Sequence, residues 1–343
     1  MPAEKMIRKL YCGSRCAAAV RLVVSVVVVG MAVLALYHQH APTRAPTSAI
    51  KVKSTPLSLT THQIYLPEFP NMTRPDQPAD IPTRFLLEEA TACHRIKDVE
   101  LVAYVHSAIS RVEHRRETRR TWANSTALRM VVMFMVGRSK NRHEQELIER
   151  ESFVHHDIVQ GDYADYYRLL SYKALSSLYW ITKHCAHVPW TVHADDDILI
   201  DTFRLRQFIQ GQNGSKDRDK LHCRKLVKQP VKRKGKWSVS PSELALKHYP
   251  PYCEGFFWLL PTTQVSILLQ ASAHVKFMWV DDAYVTGFMA IKANISIHDI
   301  KNLKGGATMA SAQVGTNMVW VHLKKRSLQW PRILHHYRVS GSP

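Results

Sequence analysis

The sequence predicts an α/β domain on an open, mostly parallel sheet, and three observations carry that prediction. Strand patterns at Val99–His106, Arg129–Val136 and Trp190–Ala194 alternate with helical patterns at Val112–Trp122, Arg142–Phe153 and Tyr166–His184. The stretch holding them, from Cys93 to about Arg338, is long enough for one domain with its own core. Three consecutive carboxylates, Asp195, Asp196 and Asp197, follow the third strand, at the C-terminal sheet edge where folds of this class bind ligands.

Each element has its own signature. Leu169, Leu170, Tyr172, Leu175, Leu178 and Tyr179 recur at helical spacing and form a core face. A further helix is expected over Ala283–Lys292, with Asp281 and Asp282 at its N-cap. The Lys/Gly/Arg-rich run from Gln212 to Lys236 reads as an exposed loop, and Trp122 as core. No internal repeat is present.

The acidic triplet is the main chemical signal. A buried strand cannot hold three adjacent carboxylates without cations. Hard oxygen ligands one residue apart suit a divalent cation whose other positions are filled by phosphate oxygens and water. A solvated acidic turn or a loose Ca²⁺ loop would have the same composition.

The N-terminus places the domain. Cys16–Tyr37 is almost wholly apolar and, as a helix, would span about 33 Å, enough for a bilayer. Lys5, Arg8, Lys9, Arg15 and Arg21 lie on or before its N-terminal side, so the remainder of the chain is expected in the lumen. The apolar run is long for a cleaved signal peptide and lacks a small-x-small site, which favours an uncleaved signal anchor. Four sequons, at Asn71, Asn124, Asn213 and Asn294, all follow it.

Cys12 and Cys16 flank the cytosolic edge, and palmitoylation is one use for them. Cys93, Cys185, Cys223 and Cys253 remain on the oxidising side, with three connectivities open to them. No C-x-x-C pair occurs, which argues against structural zinc. Eight of the 17 prolines fall between His38 and Pro82, among Thr, Ser and Gln, which reads as an extended stem. The expected organisation is a cytosolic tail (1–15), a membrane anchor (16–37), a luminal stem (38–92), a folded luminal domain (93–338) and a short tail (339–343).

The net charge is +19, of which residues 1–40 carry +4. A luminal protein does not meet nucleic acid, so the basic remainder fits an anionic diphosphate ligand, acidic glycans or a membrane surface, or simply solubility and the composition of the Lys220–Lys236 loop.

The motifs resemble one family. His114-Arg115-Arg116-Glu117-Thr118-Arg119-Arg120-Thr121-Trp122 is similar to the R-R-x-A-I-R-x-T-W of glycosyltransferase family 31, the β-1,3-galactosyltransferases and β-1,3-N-acetylglucosaminyltransferases. Phe134–Gly137 matches its F-x-x-G. Glu151, Asp157-Ile158-Val159, Asp162, Tyr163, Asp165, Tyr167, Leu169 and Lys173 follow its next pattern, with Arg168 where Asn is usual. His193–Asp197 resembles K-x-D-D-D, Lys236-Trp237 its K-W, Tyr249–Gly255 its Y-P-x-Y-C-S-G, Asp281–Gly287 its E-D-V-Y-V-T-G, and Val319–Lys325 its V-H-x-x-K. These come in family order across nearly the whole luminal stretch.

The resemblance implies a GT-A nucleotide-sugar fold and a metal-dependent inverting transfer from a UDP-sugar, galactose or N-acetylglucosamine, to a glycan acceptor on glycoprotein or glycolipid. It implies Mn²⁺ (or Mg²⁺) on Asp195, Asp197 and His322, and Asp282 as the catalytic base. Arg119, Asp195 and Asp196 fall on the donor side. Asp281, Tyr252, Glu254 and Gly255 fall on the acceptor side. It also implies a single-pass type II protein of the Golgi membrane, with a homodimer left open. His193 for Lys, Ala283 for Val and Phe257-Trp258 for Gly-Tyr depart from the family and bear on the donor sugar. A noncatalytic luminal glycan-binding protein on the same fold and a secreted Ca²⁺-binding module are the alternatives.

Overall fold

The structure is a computed structural model that describes residues 80–139, 141–303 and 319–322. Every described residue belongs to one compact unit within Gln63–Pro343. The expected anchor at 16–37 and the sequon at Asn71 lie outside the described residues. Among the described residues no helix is long and apolar enough to cross a membrane.

Among the described residues ten strands form: β1 (Phe85–Leu87), β2 (Leu101–His106), β3 (Met130–Arg138), β4 (Ile158–Ala164), β5 (Trp190–Asp195), β6 (Ile198–Ile200), β7 (Leu221–Leu226), β8 (Tyr252–Pro261), β9 (Ile297–Asp299) and β10 (Trp320–His322). Eight of them make one sheet in the order β1-β4-β3-β2-β5-β8-β7-β9, and β10 pairs antiparallel with β6. The β4-β3-β2-β5 centre is parallel, as expected. The flanks are not: β1, and β8 against both β5 and β7, pair antiparallel, so the sheet is mixed.

β2 shows why the centre folds this way. All six of its residues are buried, as a doubly covered parallel strand requires. Leu101, Ala103 and Val105 enter one core cluster while Val102 and Tyr104 enter the other, the period-two alternation of a pleated strand.

The helices are α1 (Val112–Arg120), α2 (Arg142–His155), α3 (Leu170–His184), α4 (Thr202–Gly211) and α5 (Thr263–Ala271), each within a few residues of expectation where one was made. Asn141 caps α2 by accepting from the His143 and Glu144 amides. Asp201 caps α4 by accepting from the Arg204 amide at 3.0 Å. The last helix, α6, covers 281–292: Asp281–Ala283 and Ala290–Lys292 are α-helical, and Tyr284–Met289 between them is π-wound. Its N-cap is Val280, so Asp281 and Asp282 lie in the first turn rather than at the cap. Trp122 is buried in the core, as expected.

Two boundaries differ from expectation. The sheet begins at Phe85, inside the stretch assigned to the stem, because Phe85 and Leu87 pair with Gly161 and Gln160 at the sheet edge. The expected loop from Gln212 to Lys236 contains β7, whose Leu221, His222 and Cys223 are buried.

Of the three connectivities, the structure has Cys93–Cys185 and Cys223–Cys253. The first closes a separation of 92 residues, worth about 4–5 kcal/mol in the chain-entropy account. Asn124, Asn213 and Asn294 are all exposed, so glycans there would meet solvent.

Candidate active site

The site forms where β2 and β5 end side by side. His106, the last residue of β2, is the register partner of Asp195, the last residue of β5. Asp196 and Asp197 make the turn into β6, and β10 brings His322 back over it, opposite Ile198.

The three carboxylates have separate surroundings. Asp196 is buried, accepts from the Ser107 hydroxyl at 2.7 Å and also takes the Arg111 guanidinium. Both its oxygens are engaged by protein partners, so it anchors the turn. Asp197 has Oδ1 3.7 Å from His322 Nε2, while its Oδ2 lies 3.8 Å from Arg111. Burial raises the Asp197 carboxyl, but His322 and Arg111 outweigh that and hold it below the usual range. Asp195 is pushed well above the usual range by burial and by its two acidic neighbours.

Arg111 was not singled out in the sequence. A signal did exist: it occupies the N-cap of α1 with no capping bond, where Ser, Thr, Asp or Asn is preferred and the helix dipole repels a cation. A residue so placed needs an anion elsewhere, and Asp196 supplies it.

Arg119, expected at the nucleotide, is committed to other partners. It donates to both Asp157 oxygens at 2.7 and 2.8 Å, and its Nη1 lies 2.8 Å from Glu151. Glu151 also binds the buried Arg115 through two bonds of 2.8 and 2.6 Å. This two-arginine, two-carboxylate network locks α1 onto α2 and β4.

The second acidic pair approaches from α6. Asp281 Oδ2 lies 3.7 Å from His106 Nδ1. Asp282 accepts the Ala283 amide at 2.7 Å. Burial, together with the neighbouring Asp281, pushes the Asp282 carboxyl well up. A Cβ on Gly255 would come within 3.1 Å of Asp282 Oδ2, so glycine there leaves the carboxylate its space. Asp282 in turn contributes to raising the Tyr252 phenol, chiefly raised by burial. Glu254 forms an ion pair with Arg224.

Between the two acidic groups stand His106 and His193. Both are buried, and His106 has no hydrogen-bond partner on either ring nitrogen. His193 Nε2 lies 3.1 Å from the Gly255 carbonyl and 3.7 Å from Asp195 Oδ1. Its ring stacks on Trp258 at 3.6 Å, and Trp258 donates to the Tyr104 hydroxyl at 3.1 Å. The two family departures at 193 and 258 thus occupy one stack. Burial pushes His193 down to about 4, so it is a neutral ring rather than the cation a lysine would supply.

The donor types at this end of the sheet are ones a divalent cation accepts. Asp195 and Asp197 offer hard oxygens and His322 an imidazole, and Asp197 Oδ1 is buried without a hydrogen bond. Among the described residues the donor atoms that lie within 4.8 Å of one another are those of His106, His193 and Asp195, whereas Asp197 and His322 approach each other at 3.7 Å.

Comparison with known proteins agrees with this frame. The family model described as galactosyltransferase matches residues 113–301, over half of the chain. The chain belongs to the galactosyltransferase family, glycosyltransferase family 31. It is 25 % identical over 211 residues to beta-1,3-galactosyltransferase 2 of Mus musculus, covering 59 % of this chain and 49 % of that protein. To lactosylceramide 1,3-N-acetyl-beta-D-glucosaminyltransferase A of Danio rerio it is 27 % identical over 225 residues, covering 62 % and 59 %. To beta-1,3-galactosyltransferase 5 of Homo sapiens it is 26 % identical over 204 residues, covering 58 % and 65 %. The match thus spans about half to two thirds of these relatives. Among solved structures, mouse xyloside xylosyltransferase 1 aligns with a TM-score of 0.35 at 12 % identity, over 67 % of this chain and 99 % of that one. The WbbM bifunctional glycosyltransferase aligns at 0.38 and 8 %, over 68 % and 47 %. Scores this low carry no argument about the reaction.

Proposed function

We propose that the chain is a metal-dependent, inverting β-1,3-hexosyltransferase that moves galactose or N-acetylglucosamine from a UDP-sugar to a hydroxyl of a glycan on protein or lipid. The observation carrying this reading is the convergence of the 195–197 triplet with Asp281 and Asp282 around His106. It brings the acidic triplet and a partly buried carboxylate pair to one end of the sheet.

Inversion is a single displacement. The acceptor oxygen forms a bond to the anomeric carbon on one face while the bond to the diphosphate oxygen breaks on the other. The hydroxyl proton passes to Asp282, whose raised affinity for protons suits a general base. A divalent cation held by Asp195, Asp197 and His322 would offset charge developing on the leaving diphosphate. Asp196 and Arg111 fix the turn that presents those ligands. Asp281 orients the acceptor beside Asp282. Base catalysis requires ionised Asp282, so transfer rises with pH across the acidic range.

The N-terminal charge pattern supports a single-pass type II protein of the Golgi membrane with this domain in the lumen. Glycosidase treatment is expected to increase gel mobility, and protease added to sealed microsomes to spare the domain. Function is tested by incubating the full chain in detergent with Mn²⁺, UDP-galactose or UDP-N-acetylglucosamine and a panel of acceptor glycans. The reading requires a β-1,3-linked product from one of these donors. Absence of both transfer and UDP-dependent ligand binding would refute it.

A further inference from the structure

Beside the carboxylate pair lies a surface the reaction chemistry does not use. Tyr167 and Trp237 are exposed by 43 % and 47 % and lie together. They come from segments 70 residues apart, and the Trp237 indole donates to the Tyr167 hydroxyl at 2.8 Å. Tyr167 also faces the Trp279 ring, with centroids 6.0 Å apart.

Cations sit over this aromatic surface. Lys236 Nζ is 4.2 Å from the Tyr167 centroid, Lys232 Nζ is 4.3 Å from Trp237, and the Arg168 guanidinium is 4.6 Å from Trp279. All three cationic residues are exposed. Arg168 stands where the family usually has Asn. Arg168 and Trp279 also line a surface pocket with Glu243, whose carboxylate accepts the Ser240 amide at 2.7 Å.

The surface adjoins the reacting groups. Trp279 precedes Asp281 by two residues at the start of α6. The Tyr167 phenol is raised first by its own burial and then by the charges of Asp281, Asp282 and Asp195.

Aromatic rings give sugars a rigid, amphipathic contact at little entropic cost. The cations above them add a preference that a neutral sugar cannot satisfy. We propose that Tyr167 and Trp237, with Arg168, Lys232 and Lys236, form an acceptor platform for an oligosaccharide bearing a carboxylate or a sulfate, with the buried Trp279 backing Arg168 from below. This inference rests on the glycosyltransferase reading and names the acceptor class for the same site.

Direct binding tests it. Calorimetry on the full chain in detergent would use three probes: lactose, a glucuronic-acid-terminated galactose disaccharide and 6-sulfated lactose. At low salt at least one charged probe should bind about tenfold more tightly than lactose, since exposed ion pairs are worth a few-fold each. The charged probe that binds more tightly names the acidic group, and 0.5 M NaCl should remove most of the advantage. The double variant Arg168→Gln, Lys236→Gln should bring the charged probes down to lactose affinity, and Trp237→Ala should weaken all three. Lactose binding as tightly as both charged probes overturns the inference, and this wild-type comparison holds whether or not the variants fold. UDP-sugar turnover by the wild-type chain, read in parallel, separates the two ideas. Turnover without charge preference removes only the platform, and charge preference without turnover removes only the transferase reading.

Discussion

The Ser107 hydroxyl donates to Asp196 Oδ2 at 2.7 Å, joining the end of β2 to the acidic triplet across 89 residues of sequence. The same Ser107 oxygen accepts from Arg115 Nη1 at 3.1 Å, and Arg115 is held by Glu151. The turn that presents Asp195 and Asp197 is therefore set by α1 and α2, through side chains that touch no substrate.

Glu151→Ala tests that dependence. It removes a carboxylate shared by Arg115 and Arg119 and leaves a guanidinium that is 1 % exposed without its counter-charge. Breaking a buried pair from one side costs about 3–5 kcal/mol. Denaturant unfolding should show a loss of that order, and a loss below about 1 kcal/mol would mean the network contributes little.

Asp197→Ala should abolish metal-dependent UDP binding, and His322→Gln should weaken it. Titration calorimetry with UDP, with and without Mn²⁺, reads both. Chelation should abolish transfer by the wild-type chain and added Mn²⁺ restore it. UDP affinity that is unchanged by Mn²⁺ in the wild type would contradict the ligand assignment.

Stability should carry the mark of His222. Burial pushes its pKa from 6.5 down to about 4, so the folded protein keeps it neutral. Between those values the unfolded chain binds the extra proton. The contribution is complete above pH 6.5 and is lost as pH falls toward 4, by at most about 1.4 kcal/mol per pH unit. The gap between wild type and His222→Gln in unfolding free energy should therefore shift against the wild type as pH falls through this window. A gap independent of pH would contradict the assignment.

What the sequence revealed and what it hid have physical reasons. The central strands were legible because β2, β3 and β5 are buried on both faces and so read as apolar runs. β7 was hidden because its second half, Arg224 and Lys225, faces outward and resembles the basic loop around it. β1 was hidden by its length of three residues in a polar setting. The acidic triplet announced the site, yet nothing in its spacing told that Asp196 turns inward while its neighbours stay available. Arg119 was read as a ligand for the nucleotide because its motif is shared with the family. Its engagement depends on Glu151 and Asp157, contacts that only the fold brings together. The stacking of His193 on Trp258 was equally invisible, although both positions had been marked as departures.

Asp282→Asn addresses the central claim most directly. The amide keeps an oxygen for the Ala283 N–H and fills the same space, so the fold and the donor site should be preserved. The account predicts a fall in transfer rate of about 10²–10⁴-fold with UDP affinity nearly unchanged. Transfer at the wild-type rate would place the base elsewhere and contradict the account.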